Sequence, residues 1–197
     1  MIQKILNKFL KFFGIKLIKI VDQFNNSYRL SLAFKEKKID YIIDVGANEG
    51  QFAKELRFYG YKGGILSFEP QKLANQKLIN FALKDDDWTV YEPIALGNRN
   101  GKTKINISKN SVSSSILNIN DEHINNAPDS KIVGTENIQE KKMDDIFNDL
   151  NIDDKNIFLK IDTQGYEFQV LEGAEKTLSK INGILVWNLI LKFLLYF

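Results

Sequence analysis

One short stretch, residues 41–50, restricts the fold of this chain more than any other, because an apolar run with a single acid passes into a glycine-spaced loop. Its first five residues are β-branched or aromatic apart from Asp44, which is typical of a strand buried on both faces of a parallel sheet. Gly46, Asn48 and Gly50 follow, and the nine residues after them carry apolar side chains at helical spacing. This order of strand, tight turn and helix predicts a loop for a nucleotide cofactor, because the N–H groups at a helix start are unpaired and bind polar groups.

A second acid follows the next predicted strand. Residues 65–68 form a short apolar run that ends in Glu69, nineteen residues after Gly50. In doubly wound sheets, an Asp or Glu at this tip accepts hydrogen bonds from the ribose hydroxyls of the cofactor. In the alternative interpretation neither acid binds a ligand: Asp44 caps a helix, and Glu69 is a solvated acid before Pro70.

Length and composition indicate one globular domain. With 197 residues, of which 44% are hydrophobic and 26% charged, the chain can bury a sizeable core. The net charge of +2 gives no general attraction to nucleic acid, and we expect no such partner. The absence of cysteine excludes disulfides and cysteine-bound metal, and the single histidine, His123, argues against a zinc site, so we predict no metal.

Both ends of the chain are apolar. The N-terminus mixes lysines with apolar residues at helical spacing and lacks a small-residue cleavage site, so we predict an amphipathic helix in a cytoplasmic protein rather than a signal peptide. Such a helix either lies on an anionic membrane surface or packs on its own domain. We assign residues 1–38 to an N-terminal helical segment packed on the domain. Residues 183–197 are too few to span a membrane, and we interpret residues 184–186 as a buried strand.

Strands and helices alternate through most of the chain. This pattern predicts an α/β fold with a doubly wound, mainly parallel sheet. A further strand at residues 156–161 runs directly into Asp162. Because ligands bind at the carboxyl ends of the strands, we expect Asp44, Glu69 and Asp162 to converge at one edge of the sheet. Residues 108–126 are rich in Ser and Asn and form either a surface loop or part of the site.

Four motifs together resemble a known family. They are IIDVGANEGQF from Ile42, LSFEP from Leu66, PIALGN from Pro93 with SVSSSIL from Ser111, and LKIDTQGYEFQVLEGA from Leu159. On these motifs, roughly residues 39–186 resemble the FkbM-type family of S-adenosylmethionine-dependent methyltransferases, which have a Rossmann-like fold. The last motif is the most specific, because few other families place an acid, a glycine and a Gly-Tyr/Phe-Glu step after this strand.

The resemblance implies how S-adenosyl-L-methionine is bound. It implies that the glycine loop wraps the methionine end of the cofactor and that Glu69 holds the ribose. It also implies that Ala95 and Leu96 lie beside the adenine, and that Asp162 faces the transferred methyl group. The expected cofactor-binding residues are Asp44, Gly46, Ala47, Asn48, Gly50, Glu69, Ala95, Leu96 and Asp162.

Methyl transfer from a sulfonium is an in-line displacement, so catalysis depends mainly on holding the acceptor oxygen near the methyl carbon. A nearby acid then takes the proton of the acceptor hydroxyl. Asp162 is the first candidate for this catalytic base, followed by Glu167 and His123. In the alternative interpretation, Asp162 caps the following turn or binds the amino group of the cofactor, and His123 is a solvent-facing loop residue.

The acceptor is the least specified part of the prediction. The candidate substrate-binding residues are Ser113, Ser114 and Ser115, which either offer hydroxyls to a sugar-like acceptor or belong to a polar loop. The leading hypothesis is O-methylation of a hydroxyl on a sugar or glycan-like small molecule. Another possible function is that of a nicotinamide-dependent oxidoreductase, but residues 46–50 lack the G-x-G-x-x-G spacing of its cofactor loop.

The C-terminus departs from the family pattern. The strand after Gly183 usually continues through an acidic position into further strands, whereas here Trp187 and Asn188 lead into a short apolar tail. We therefore expect residues 39–197 to form a C-terminally shortened domain that lacks the final strands, as a truncated or frameshifted copy or one that a partner completes. The alternative function is a non-catalytic protein of this fold, acting in binding or partner interaction. The N-terminal helix or the apolar C-terminal tail could contact a membrane surface peripherally. The chain could also form an oligomer.

Overall fold

The computed structural model describes residues 25–108, 115–116, 132–187 and 194–196. The helices in these ranges are α1 (Asn26–Glu36), α2 (Gln51–Phe58), α3 (Lys72–Ala82), α4 (Met143–Ile146) and α5 (Glu167–Glu172), with 3-10 turns at Phe147–Leu150 and Thr177–Lys180. The strands are β1 (Tyr41–Val45), β2 (Gly64–Phe68), β3 (Trp88–Val90), β4 (Ile94–Leu96), β5 (Gly101–Ser108), β6 (Ile132–Lys141), β7 (Ile157–Ile161), β8 (Ile181–Val186) and β9 (Leu194–Tyr196).

A six-stranded sheet organises the fold, with the strand order β3-β2-β1-β7-β8-β9. Every neighbouring pair from β3 to β8 is parallel, and only the three-residue strand β9 is antiparallel, against β8. β1 lies in the middle because its residues are apolar on both faces and are buried between β2 and β7. The predicted doubly wound, mainly parallel α/β fold is confirmed.

Two hydrophobic cores lie on opposite faces of this sheet, because successive residues of a strand point to opposite sides. Ile43 and Leu159 belong to the core beneath α4 and α5, whereas Ile42 and Phe158 belong to the core beneath α1, α2 and α3. The fully buried charge of Asp44 therefore lies on the same face as α1 and α2.

A second, smaller sheet follows β3, with the order β4-β6-β5. Residues 102–107 alternate between polar and apolar, which is typical of an exposed strand, and residues 132–133 favour a short one. In the structure, β6 extends over ten residues and pairs with β5 along its length. β4 leaves the main sheet and pairs in parallel with residues 139–141. This arrangement places the Ala95 and Leu96 backbone beside the carboxyl end of β2.

The helix expected at residues 168–178 is interrupted. It ends at Glu172, and the C-cap residue Gly173 lies against the turn after β4: a Cβ atom there would come within 1.8 Å of the Gly97 carbonyl oxygen. At the other end of the described chain, α1 packs on α2, where Ser27 Oγ donates to Glu55 Oε2 at 2.6 Å. The predicted N-terminal amphipathic helix lies outside the described residues. None of the helices within the described ranges has the length and apolar character that crossing a membrane requires.

Candidate functional site

The candidate site lies where the strand order reverses. From β1 the chain continues to β2 on one side, whereas β7 on the other side continues to β8. In open α/β sheets, the crevice outside the carboxyl ends of the strands at such a reversal is the usual ligand site. The two loops that border this crevice are residues 46–50 after β1, called the β1 loop, and residues 162–166 after β7, called the β7 loop.

The β1 loop has a backbone that few residue types tolerate. Gly46, Asn48 and Gly50 have φ angles of 73°, 48° and 81°. Gly46 and Ala47 donate their backbone N–H groups to the Phe68 carbonyl oxygen, both at 3.0 Å, which ties the loop to β2. A Cβ atom at Gly46 would lie 2.0 Å from the Asp162 carbonyl oxygen, so no side chain fits between the two loops. The glycine is required both for its φ angle and for this close approach.

Glu69 lies beside this loop as a buried carboxylate, 3% exposed. Its Oε2 accepts the Asn48 N–H at 2.8 Å, and its Oε1 accepts the Gln71 N–H at 2.9 Å. Burial raises the pKa of Glu69 to about 7, although the two backbone N–H groups and the Lys160 charge act in the opposite direction. Since an ionised carboxylate has about four acceptor sites, two remain for the hydroxyls of a ribose. The arrangement fits the predicted ribose contact.

Asp44 and Lys160 form a buried ion pair beneath the β1 loop. Lys160 Nζ lies 2.9 Å from Asp44 Oδ1 and donates to the Gly46 carbonyl oxygen at 3.0 Å. The Asp44 carboxylate thus faces Lys160 from inside the sheet, and it lines neither of the two cavities described below. Sequence reasoning missed Lys160, although a lysine within the apolar strand 157–161 was a visible signal.

The β7 loop is held by its own side chains. Gln164 has a φ angle of 54° and donates from Nε2 to Asp162 Oδ1 at 2.5 Å. Burial raises the pKa of Asp162, and the Lys160 charge and the Gln164 hydrogen bond partly offset that shift. Glu167 accepts the Thr163 N–H at 2.9 Å and the Gly165 N–H at 3.0 and 3.1 Å. Its carboxylate is therefore occupied by loop amides and lines neither cavity, which favours a positioning role over proton transfer.

Two cavities meet at these loops. The first cavity is lined by side chains from β2, β4 and the second sheet; those used here are Glu69, Ala95, Leu96, Ser115 and Tyr166. The second cavity opens on the α1 and α2 side; the residues used here are Asn25, Ser27, Phe52, Glu55, Lys160 and Trp187. Both cavities contain Gly46, Asn48, Asp162 and Gln164, so these residues lie between them.

The structure thus brings most predicted cofactor residues to one place. Ala47 lines the second cavity. Gly50 lines neither, because it faces the protein interior: a Cβ atom there would meet the Trp88 ring at 2.7 Å. Ser115 is buried in the first cavity, on the same side as Glu69. Ser113, Ser114 and His123 lie outside the described residues, and their roles stay predictions.

One wall of the first cavity comes from a residue that the sequence did not identify. Tyr166 donates its hydroxyl to Glu140 Oε1 at 3.0 Å, and Glu140 is only 1% exposed. Burial and this hydrogen bond raise the pKa of Tyr166 to about 12. Arg99 donates to the other oxygen of Glu140 at 3.1 Å. The pairing joins the second sheet to the β7 loop across 26 residues, and no local sequence pattern predicts it.

Of three comparisons with known proteins, the one with protein-family models agrees with the motif analysis. No curated protein matches the chain significantly. Among solved structures, the chain is similar to a putative caffeoyl-CoA O-methyltransferase from Staphylococcus aureus, at 8% sequence identity and a TM-score of 0.45. That match covers 94% of this chain and 65% of the other, so this chain spans less than two thirds of that protein's length. The family model of the methyltransferase FkbM domain matches residues 44–190, which include the end of β1, all of β7 and both loops. The chain therefore belongs to the FkbM methyltransferase domain family.

Proposed function

We propose that this protein transfers a methyl group from S-adenosyl-L-methionine to a hydroxyl of a sugar or glycan-like small molecule. The observation that carries the proposal is the position of Glu69, a buried carboxylate with free acceptor sites, beside the β1 loop at the strand reversal. Family membership supports the reaction class. The acceptor class rests on the resemblance and on the second cavity.

The residues present fit the proposed cofactor. Glu69 is available to the ribose hydroxyls, and Ala95 and Leu96 give the same cavity an apolar wall suited to an adenine ring. Gly46 leaves the space between the loops free of side chains. When bound, S-adenosyl-L-methionine supplies an electrophilic methyl group on a sulfonium.

Asp162 is the proposed proton acceptor, because it lines both cavities and therefore reaches the donor and the acceptor sides. Its burial raises its pKa, which makes the carboxylate a better base for a hydroxyl proton. Gln164 fixes the orientation of one carboxylate oxygen, Oδ1. The other oxygen, Oδ2, is then the proposed site that receives the proton.

The second cavity is the proposed acceptor site. If the ribose and adenine occupy the first cavity, the space on the α1 and α2 side remains for the acceptor. Phe52 and Trp187 offer aromatic surface for the apolar face of a sugar ring, and Asn25 and Ser27 offer hydrogen-bonding groups for hydroxyls. Ser115 lies on the opposite side, so within this proposal it belongs to the donor pocket.

The cofactor assignment is tested by calorimetric titration with S-adenosylhomocysteine and, separately, with NAD. We expect S-adenosylhomocysteine to bind and Glu69→Ala to weaken it by about 1.5–3 kcal/mol, the range for hydrogen bonds to a charged group. Glu92→Ala, which removes an exposed carboxylate that pairs with Lys141, is the matched control and is expected to bind normally. Binding of NAD alone supports the oxidoreductase alternative, and binding of neither ligand supports the non-catalytic one.

The reaction is tested by screening hydroxyl acceptors for uptake of labelled methyl groups. With an acceptor found, we expect Asp162→Asn to abolish transfer while S-adenosylhomocysteine still binds. If Asp162 instead binds the amino group of the cofactor, the same variant loses affinity for S-adenosylhomocysteine. Trp187→Ala is expected to raise the acceptor KM and to leave cofactor affinity unchanged.

A further inference from the structure

Lys160 is a charged residue inside an otherwise apolar central strand. All five residues of β7 are buried, and Lys160 itself is 4% exposed. It lies directly beside Asp44 in the register of β1 and β7. Burying an ammonium group is costly unless it is paired and hydrogen-bonded, so the contacts of Lys160 indicate what its burial provides.

Those contacts reach beyond the ion pair. In addition to Asp44 Oδ1 at 2.9 Å, Lys160 Nζ donates to the Gly46 carbonyl oxygen at 3.0 Å and lies 3.5 Å from the Val45 carbonyl oxygen. Both carbonyls belong to the point where β1 ends and the β1 loop begins. Lys160 thereby connects β7 to the backbone that turns beneath the proposed cofactor.

The ion pair by itself is expected to contribute little to the free energy of folding. The Asp44 carboxylate is 0% exposed, and its Oδ2 has no hydrogen-bond partner among the described residues. A buried pair with incompletely satisfied oxygens often contributes nothing to stability relative to apolar residues of similar size. A role in stability alone therefore does not account for the pair.

The positive charge of Lys160 also acts on two acids of the site, Glu69 and Asp162. Its charge acts on Glu69 after β2 and on Asp162 after β7, in both cases lowering a pKa that burial raises. Asp44 on β1 acts on the same two groups in the opposite direction, Glu167 does so on Asp162, and Glu55 on α2 lines the same cavity as Lys160.

We propose that Lys160 is a positioning residue for cofactor binding: its ammonium group pairs with Asp44 and holds the β1 loop in place through the Gly46 carbonyl. This inference rests on the proposed function, because it assigns Lys160 to the same cofactor site. It differs from a purely structural ion pair in one respect. The effect of Lys160 on binding does not depend on its effect on folding.

The test compares three variants by titration with S-adenosylhomocysteine from pH 6 to pH 9 and by thermal unfolding without ligand. Lys160→Met removes the charge, and Lys160→Met with Asp44→Asn removes both charges of the pair. Lys155→Met removes an exposed lysine that precedes β7 and is the matched control. We expect Lys160→Met to weaken binding by about tenfold or more at pH 7. We also expect it to move the midpoint of the pH dependence upward by about one unit, because the carboxylates lose their cation.

The double variant separates positioning from stability. Removing both partners leaves no unpaired buried charge, so its melting temperature is expected to lie near that of the unaltered protein. Its affinity for S-adenosylhomocysteine is expected to stay about tenfold weaker, because the Gly46 carbonyl has still lost its donor. This variant also covers the case in which Lys160→Met fails to fold.

The outcomes are distinct. A folded double variant with unaltered affinity, or a folded Lys160→Met variant with unaltered affinity and pH midpoint, overturns the positioning role and leaves the proposed function intact. An unaltered protein that binds no S-adenosylhomocysteine overturns the proposed function and this inference together.

Discussion

The β1 loop and the β7 loop meet face to face at the strand reversal, yet they are held in different ways. The β1 loop depends mainly on backbone geometry, with glycine at two of its three positive φ angles and backbone N–H groups donated to Phe68. The side chains that contact its backbone, Glu69 and Lys160, lie outside the loop. The β7 loop depends on side chains, because Glu167 accepts the loop amides and Gln164 binds Asp162.

This difference predicts how each loop responds to substitution. A backbone-determined loop fails when a side chain is added, since its contacts have no space for one. A loop held by side chains fails when a side chain is removed, since its amides then lose their acceptors. The close approach of Gly46 to the Asp162 carbonyl couples the two loops, so damage to either is expected to reach the cofactor site.

The largest expected effect is that of Gly46→Ala. The added methyl group overlaps the Asp162 carbonyl oxygen. The alanine must also adopt a φ of 73°, which is unfavourable for a residue with a Cβ. We expect the free energy of unfolding in urea to fall by about 3 kcal/mol or more, from overpacking and backbone strain together.

Gly60→Ala is the matched control for that variant. Gly60 has a φ of 92°, but no atom of the described residues lies within 4 Å of its added Cβ. The free energy of unfolding of Gly60→Ala is therefore expected to fall by only about 1 kcal/mol, from backbone strain alone. Equal losses in the two variants would show that the loops do not approach closely.

Glu167→Ala is expected to have the next largest effect. It removes the acceptor of the Thr163 and Gly165 N–H groups, and we expect the free energy of unfolding to fall by about 2 kcal/mol. Glu175→Ala, an exposed acid after the same helix, is expected to change it by about 0.5 kcal/mol or less. A Glu167→Gln variant of normal stability that has lost all methyl transfer would instead restore Glu167 as a catalytic base.

The affinity for S-adenosylhomocysteine is expected to depend on pH through Glu69. Because the pKa of Glu69 is raised to about 7, the ionised form that accepts ribose hydroxyls grows between pH 6 and pH 8. We expect calorimetry to find binding about tenfold tighter at pH 8 than at pH 6, and a weak, pH-independent affinity for Glu69→Gln. A flat profile for the unaltered protein would place the ribose elsewhere.

The stability of the ligand-free protein is expected to change in the opposite direction. The folded-state pKa of Glu69 lies above the ordinary glutamate value of 4.5, so folding favours the neutral carboxyl. This contribution is fully present below pH 4.5 and is lost as the pH rises through about 7. Urea unfolding between pH 4.5 and pH 7 measures this contribution of Glu69 as the loss of stability that the unaltered protein shows and Glu69→Gln does not.

The smallest expected effects compare the non-glycine residues with positive φ in the two loops, Asn48 in the β1 loop and Gln164 in the β7 loop. In Asn48→Gly, relief of strain and the greater freedom of the unfolded chain nearly cancel, so stability is expected to change by about 0.5 kcal/mol. Gln164→Gly additionally loses the hydrogen bond to Asp162, and we expect it to be less stable than Asn48→Gly by about 1 kcal/mol. The reverse order would mean that the β7 loop does not depend on that side chain.

Much of the fold was predictable from local patterns. The buried strands at residues 41–45 and 157–161 are mostly apolar runs, the first with Asp44 near its end and the second followed by Asp162, and each forms a central strand as expected. Glu69 was predictable because its distance from the glycine loop follows from one helix and one strand. The second sheet was not predictable, because β4 and β6 pair across more than forty residues, and no local pattern encodes such a pairing.

The site was predictable in its residue types more than in their roles. Asp44, Gly50 and Glu167 were singled out as ligands or bases. The structure pairs Asp44 with Lys160 and Glu167 with the loop amides, and it places Gly50 where an added Cβ would meet Trp88. Side-chain direction and burial depend on the packed neighbours, which the motif does not specify. For the same reason Lys160 and Tyr166 went unrecognised, since their partners Asp44 and Glu140 are distant in the chain.

The sequence by itself determined the central strands, the left-handed turn positions of the β1 loop and the acid at the tip of β2, because apolar periodicity and glycine requirements are local properties of the chain. Only the tertiary structure decided which acid faces a cavity, which acid pairs with a buried lysine and which acid holds a loop. Those assignments follow from the reversal of strand order between β1 and β7, which brings together charges separated by more than a hundred residues.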